Sequence, residues 1–388
     1  MYGLNLEPVP PRMLVVGEPA PFPIYDKFGK LLLSAGGTIR SQRQLNTLCQ
    51  LGFYPPPEEP KDKRDRFAPE AYGADTNPFA EFDSLGEELS HLYTRLVEGS
   101  ESGTGDIENR FFRVAGRIQG LVKLNTDALL GTIHMEQEYS YPVRHALHVA
   151  TVSELVGERI GMEQKRRLEL LAAALTANIA MHPYQEKLHS CKKPLTEEQW
   201  AVVARHPEQS VALLHQCGVT NKRWLTAVRQ HHERLDGSGY PNGLSGRQIC
   251  LEARILAIAD VYTAMVNPRA YRPGYEPRYG LKEILEHRGL RFDEKLSKVV
   301  INQLRLYPPG AAVELVNGEI AVIIGRTREH KAPRVASVRQ ADGQPFMQPR
   351  RRNTMDPNYA IKRVCRTDEI PPVSPSIVWG IKLKRATA

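Results

Sequence analysis

Apolar residues in the middle of this chain recur three and four positions apart, the period of an amphipathic helix. Across residues 107–135, Phe111, Val114, Ile118 and Val122 share one face, which predicts a helix or helix pair. The same spacing predicts helices at 81–97, 142–160, 163–181, 196–216 and 221–232. Thr196 and Gln199 form a capping box at the start of one of them. Towards both ends the pattern shortens. Residues 23–26 and 30–34 read as short strands around a turn at 27–29. Ser41 then caps a short helix with Leu45, Leu48 and Cys49 on one side, which Gly52 stops. Past Tyr307, residues 312–316 and 319–324 are β-rich runs about Asn317-Gly318, a type I′ hairpin signal. Residues 333–339 and 360–365 are further candidate strands. The fold class is mainly α, with a small α/β module at the N-terminus and a small β-rich appendage at the C-terminus. In domain terms the pattern divides into a module (1–60), a linker containing a helix (61–105), a helical domain (106–307) and a β-rich extension (308–388). Residues 55–63 are rich in proline and charge, and 99–105 read as a flexible break.

Composition adds limits rather than direction. At 388 residues the chain can hold two or three domains, and its 41% hydrophobic and 25% charged content is ordinary for a globular protein. No apolar run is long enough to span a bilayer, and the first residues lack the basic-then-apolar order of a signal peptide, so a cytoplasmic location is expected. The five cysteines are scattered with no CxxC pair, which argues against a disulfide framework or thiolate zinc site. A net charge of +8 suits an anionic ligand without naming one. Aromatic residues do not interleave with the basic ones, and nucleic acid is not an expected partner. The run Arg350-Arg351-Arg352, between Pro349 and Asn353, reads as a solvated loop.

The chemistry concentrates between His231 and Tyr271. Two adjacent histidines, His231 and His232, precede a glycine-rich turn, and Asp260 follows inside an apolar run. Imidazole nitrogens with a carboxylate are ligands suited to Fe, Mn or Zn. This stretch resembles the HD-GYP family, whose pattern HHExxDGxGYPxGLxGxxI…ARI…IAD it meets at nearly every fixed position. The resemblance extends over about 133–307. It implies a helical HD-domain bundle, and an ancestry among metal-dependent cyclic di-GMP phosphodiesterases. On the same resemblance His145, His206, His231, His232 and Asp260 stand at metal-ligand positions. Arg269 and Arg272 stand where the family contacts ligand phosphates. Gly239, Tyr240 and Pro241 form a lip that in the family also recognises partners, among them diguanylate cyclase domains.

The defining pair is absent. Where the family reads roughly LLHDIGK, this chain has Ala177 for the histidine, Asn178 for the aspartate and Met181 for the lysine. The lost aspartate bridges two metals in the family. Divalent ions about 3.5–4 Å apart repel by about 15–20 kcal/mol at an effective dielectric near 20, and a neutral amide does not offset that. The position served by His145 and Asp260 is therefore expected to be empty. The one served by His206, His231 and His232 is expected to hold at most one transition metal. His182, His189 and Cys191 have the wrong helical offset to substitute, and Thr263 replaces a further family aspartate. The resulting expectation is a catalytically impaired phosphodiesterase of cyclic di-GMP signalling, acting as a ligand-binding or protein-interaction regulator. The alternative is an active enzyme working with a reduced metal site.

Overall fold

A computed structural model describes the chain except for residues 1–6, 10–13, 21, 29, 35, 55–68, 98–106, 136–138, 183, 185–195, 269–273, 367–368, 371 and 382–388. The proline-rich segment 55–63, the expected break at 99–105, His189, Cys191, Arg269 and Arg272 thus lie outside the described residues. The chain divides into two compact units, Met1–Ala68 and Pro69–Ala388.

The first unit holds β1 (Glu7–Pro8), β2 (Ile24–Tyr25), β3 (Leu31–Leu33), α1 (Gln42–Leu51) and β4 (Phe53–Tyr54). Its strands form an antiparallel sheet in the order β1-β4-β2-β3. Asp26 sets the β2–β3 turn by accepting from the backbone N–H of Phe28 and Lys30. Ser41 caps α1 as expected, its hydroxyl accepting from Gln44 N–H at 3.2 Å. Gly52 is required by contact: a Cβ there would lie 2.3 Å from the Leu48 carbonyl oxygen. Val9, Leu14, Ile24, Ile39, Leu48 and Tyr54 make the core.

The second unit is a helical bundle with a sheet following it in sequence. Its first helix, α2 (Pro78–Val97), buries Phe82, Leu85, Leu89, Leu92 and Leu96 against α3 (Ile107–Thr132) and α4 (Tyr141–Arg159). Inside α3, Asn125 leaves helical geometry (φ −157°, ψ 86°) and its side chain accepts from Ala128 N–H, capping a second helical segment. The expected single helix or pair is a helix broken at one residue. The centre of the bundle is α4, buried nearly all round between α3, α5 (Gln164–Thr176), α8 (Leu251–Val266) and α10 (Glu294–Leu304). Such all-round burial is why its sequence carries few charges. α5 stops five residues short of its expected end. After Ala177 and Asn178 the chain makes a 3₁₀ turn, Ile179–Met181, tied to α6 (Glu197–Gln216) by the Ala180 N–H donating to Ser210 Oγ. Asn221 caps α7 (Lys222–Gln230), and α9 (Pro277–Glu286) precedes α10.

The last sheet has the order β8-β7-β6-β5-β9, all antiparallel, from β5 (Ala312–Leu315), β6 (Ile320–Gly325), β7 (Arg334–Arg339), β8 (Pro345–Asn353) and β9 (Ile361–Val364). The turn at Asn317-Gly318 joins β5 to β6 as expected, with Gly318 at φ +86°. Val322, Ile324 and Ala336 pack on one face, with Val378 of α11 (Pro375–Trp379); Val313, Ala321 and Ile323 pack on the other. One expectation fails here. Arg350, Arg351 and Arg352 are not a solvated loop but part of β8. This strand sits at the sheet edge with both faces largely exposed, so it lacks the apolar alternation that reveals a strand. Arg352 forms a two-pronged pair with Glu319, at 2.8 and 2.7 Å.

Candidate functional site

Residues of α4, α6 and α8 and the end of α7 meet here. His206 lies in α6 directly before Pro207. Proline has no N–H, so the Val203 carbonyl four residues back is left without its helical partner. The His206 imidazole takes its place: Nδ1–H donates to Val203 O at 2.6 Å. His231 reaches a similar outcome at the end of α7, where the last carbonyls are unpaired. Its Nδ1–H donates to Val228 O at 2.6 Å. Both neutral rings therefore carry their proton on Nδ1 and a bare lone pair on Nε2. The two Nε2 atoms are 3.2 Å apart.

Two lone pairs at that separation repel unless a cation sits near both. Burial opposes a proton in that role, pushing His206 down to about 3 and His231 below its ordinary value. His232 completes the group, its ring 4.0 Å from that of His231 and 5.0 Å from that of His206. The ligand atoms of these three residues all lie within 4.8 Å of one another. Neutral imidazoles anchored through their second nitrogen to carbonyls have the form of a transition-metal donor set, and this part of the site fits one ion.

His145 and Asp260 are arranged differently. His145, on α4, donates from Nε2 to Asp260 Oδ1 of α8 at 2.8 Å. Its Nδ1 faces the Thr263 hydroxyl at 3.4 Å, and that hydroxyl also lies within reach of the Ala259 carbonyl at 2.9 Å. Burial raises the Asp260 carboxyl, but the His145 hydrogen bond and the nearby histidines outweigh it and hold the group well below the usual carboxylate range. Asp260 is thus ionised and already partnered by a side chain. Ala177 is buried at the end of α5 and offers no ligand atom; Asn178 beside it is half-buried and neutral, and Met181 is buried. These residues do not fit a second ion. His182, whose ring packs on Tyr93, is not part of the histidine group.

The loop after the histidine pair is held by a residue that the sequence reading did not single out. Glu233, buried, accepts from the backbone N–H of Asn242 at 2.8 Å and of Leu244 at 2.9 Å. Asp236 accepts from the N–H and hydroxyl of Ser238. Gly239 passes so close to the chain that a Cβ would lie 2.4 Å from Arg234 N. That approach lets Tyr240 N–H donate to His232 O and lays the Tyr240 ring on His232, centroids 4.7 Å apart. The signal for Glu233 was the third letter of its own motif.

Residues 129–296 match the HD domain family. A cyclic di-GMP phosphodiesterase of Pseudomonas aeruginosa is 27% identical over 207 residues, 53% of this chain and 50% of that protein. Cyclic di-GMP phosphodiesterase PdeB of Borreliella burgdorferi is 28% identical over 48% of each chain. The response regulator RpfG of Xanthomonas campestris, also a cyclic di-GMP phosphodiesterase, is 38% identical over 37% of this chain and 38% of its own length. The helical region is similar to the HD-GYP family. The chain spans about half the length or less of these curated relatives. A solved HD-GYP-type structure from Bdellovibrio bacteriovorus superposes with a TM-score of 0.49 at 16% identity, over 75% of this chain and 96% of that one. Within this region the histidine group, His145 and Asp260 share one neighbourhood, close enough for His231 and His232 to bear on the Asp260 carboxyl. Among the described residues no helix is long and apolar enough to cross a membrane.

Proposed function

We propose that this HD-GYP protein serves cyclic di-GMP signalling as a ligand-binding or protein-interaction regulator that hydrolyses the dinucleotide poorly. The observation that carries this reading is the contrast inside the site. Three imidazoles are grouped closely enough to hold one ion, while the neighbouring carboxylate is occupied by His145 and the residues beside it are Ala177 and Asn178. His206, His231 and His232 would hold one Fe, Mn or Zn ion. Such an ion, when bound, neutralises phosphate charge and acidifies water. The resident side chains do the rest. Val203 and Val228 keep the imidazoles in the ligating tautomer, and Glu233 holds the lip against the histidines. Asp260 would keep negative charge near such an ion.

The substrate class is carried over from relatives named as cyclic di-GMP phosphodiesterases. The Gly239–Tyr240–Pro241 lip is the surface we assign to signalling partners such as diguanylate cyclases. The competing reading, a working phosphodiesterase with a reduced site, draws on the intact imidazole group. Incubation with cyclic di-GMP and excess Mn or Fe separates the two. Residual or no hydrolysis supports the regulator; turnover on the order of 1 s⁻¹ or faster, ordinary for enzymes, overturns it.

A further inference from the structure

Trp200 is 51% exposed on the first turn of α6, an unusual place for a large aromatic ring in a monomeric surface. Its ring meets that of Tyr240 edge-on, centroids 5.6 Å apart and planes at 74°. Tyr240 in turn stacks on His232. Three aromatic rings therefore lead from solvent to the histidine group, and the first two form a right-angled corner. The backbone beneath both rings is held. The Thr196–Gln199 capping box fixes the turn that carries Trp200, and Gly239 fixes the approach of Tyr240.

We infer that Trp200 and Tyr240 form the platform on which a purine base of a cyclic dinucleotide stacks, a role that rests on the site reading proposed above. Two flat, pre-set rings accept a flat ligand at small entropic cost, and aromatic stacking is the recurring way proteins hold an unpaired base. Spacing agrees. Trp200 and His206 are six residues apart on one helix, about 9 Å along its axis at 1.5 Å per residue. A phosphate near the histidines and a base at the corner are separated by one sugar, a comparable span. Charge agrees as well. The same turn carries Glu197 and Glu198, with Glu197 three positions before Trp200 on the same side. Carboxylates repel phosphate but accept from base N–H groups such as the N1–H and N2–H of guanine, so this end of the site suits a base rather than a phosphate.

The chain has three tryptophans, which makes the test direct. Trp224 is fully buried and Trp379 packs edge-on against Phe79 at 5.1 Å, so fluorescence change on ligand addition reports mainly on Trp200. Titrating the metal-loaded full chain with cyclic di-GMP is expected to quench that emission. W200A should abolish the quench and weaken calorimetric affinity about 5- to 100-fold, the range for losing one stacked base, with an unchanged thermal midpoint. W200F should retain most of the affinity. If the unmodified protein binds cyclic di-GMP but W200A binds equally well, the stacking role is overturned and the site reading stands. If the unmodified protein does not bind cyclic di-GMP at all, the stacking role is overturned together with the ligand-binding form of the site reading.

Discussion

The two halves of the site both use histidine and stand in opposite states. On one side His206 and His231 spend their Nδ1 protons on helix carbonyls, and their Nε2 lone pairs face each other at 3.2 Å with no proton to share. On the other, His145 spends its Nε2 proton on Asp260 at 2.8 Å, a bond complete in itself. One half is electrostatically unfinished without a cation, and the other is finished without one. The donor set separates them, three imidazoles against one imidazole and a carboxylate beside Ala177 and Asn178, and so does where each imidazole puts its proton.

Removing one residue from each half gives the largest expected difference. H231A should lower metal affinity by about 100-fold or more, beyond the 10–100-fold typical of losing an outer-shell partner. H145A should leave roughly one ion per chain. Equal loss in both variants, measured by elemental analysis, would erase the distinction. Next in size is restoration: Ala177→His, Asn178→Asp and Met181→Lys together should raise metal content and return some hydrolysis. Ala177 and Met181 are buried, so the variant's unfolding midpoint must be followed alongside. Silence in a folded variant would place the defect elsewhere, with Thr263 beside His145 the first candidate.

How much of this could be read from sequence depends on which interaction decides each element. Helices such as α4 and α6 were legible because burial imposes a regular spacing on them. The histidine group was legible through its motif register. The break at Asn125 was not, since a single side chain bonding to Ala128 N–H leaves the apolar spacing nearly intact. The stop of α5 at Thr176 was hidden for a related reason. Ile179 and Met181 stay buried in the 3₁₀ turn, so hydrophobicity continues past the helix end. β8 was hidden by its exposure on both faces, which turned three arginines into an apparent loop. The proton placement of His206 was written in Pro207 all along, but only a known helix tells which carbonyl that proline leaves free.

Smaller effects sharpen the comparison from outside the histidines. E233Q replaces a carboxylate that accepts two backbone N–H bonds with an amide that can accept one of them well. The expected cost is about 1–3 kcal/mol in denaturant unfolding, with Tyr240 loosened over His232. No change would mean that the loop holds itself. The smallest effect lies in the C-terminal sheet. Burial raises the Glu319 carboxyl, yet its bonds from Arg352 and Ser337 prevail and leave it below the ordinary value of 4.5. A depressed carboxyl stabilises the fold above its unfolded value and loses that contribution as pH falls through the folded one. The stability gap between the unmodified protein and E319Q should therefore narrow below pH 4.5. A gap constant with pH would show that the pair contributes nothing through charge.

The central claim is that the site holds at most one metal ion, on the side of the three imidazoles. Metal content of the full chain, purified and then equilibrated with excess Mn or Fe before exhaustive desalting, tests it most directly. The account predicts no more than one tightly held ion per chain, and two would contradict it.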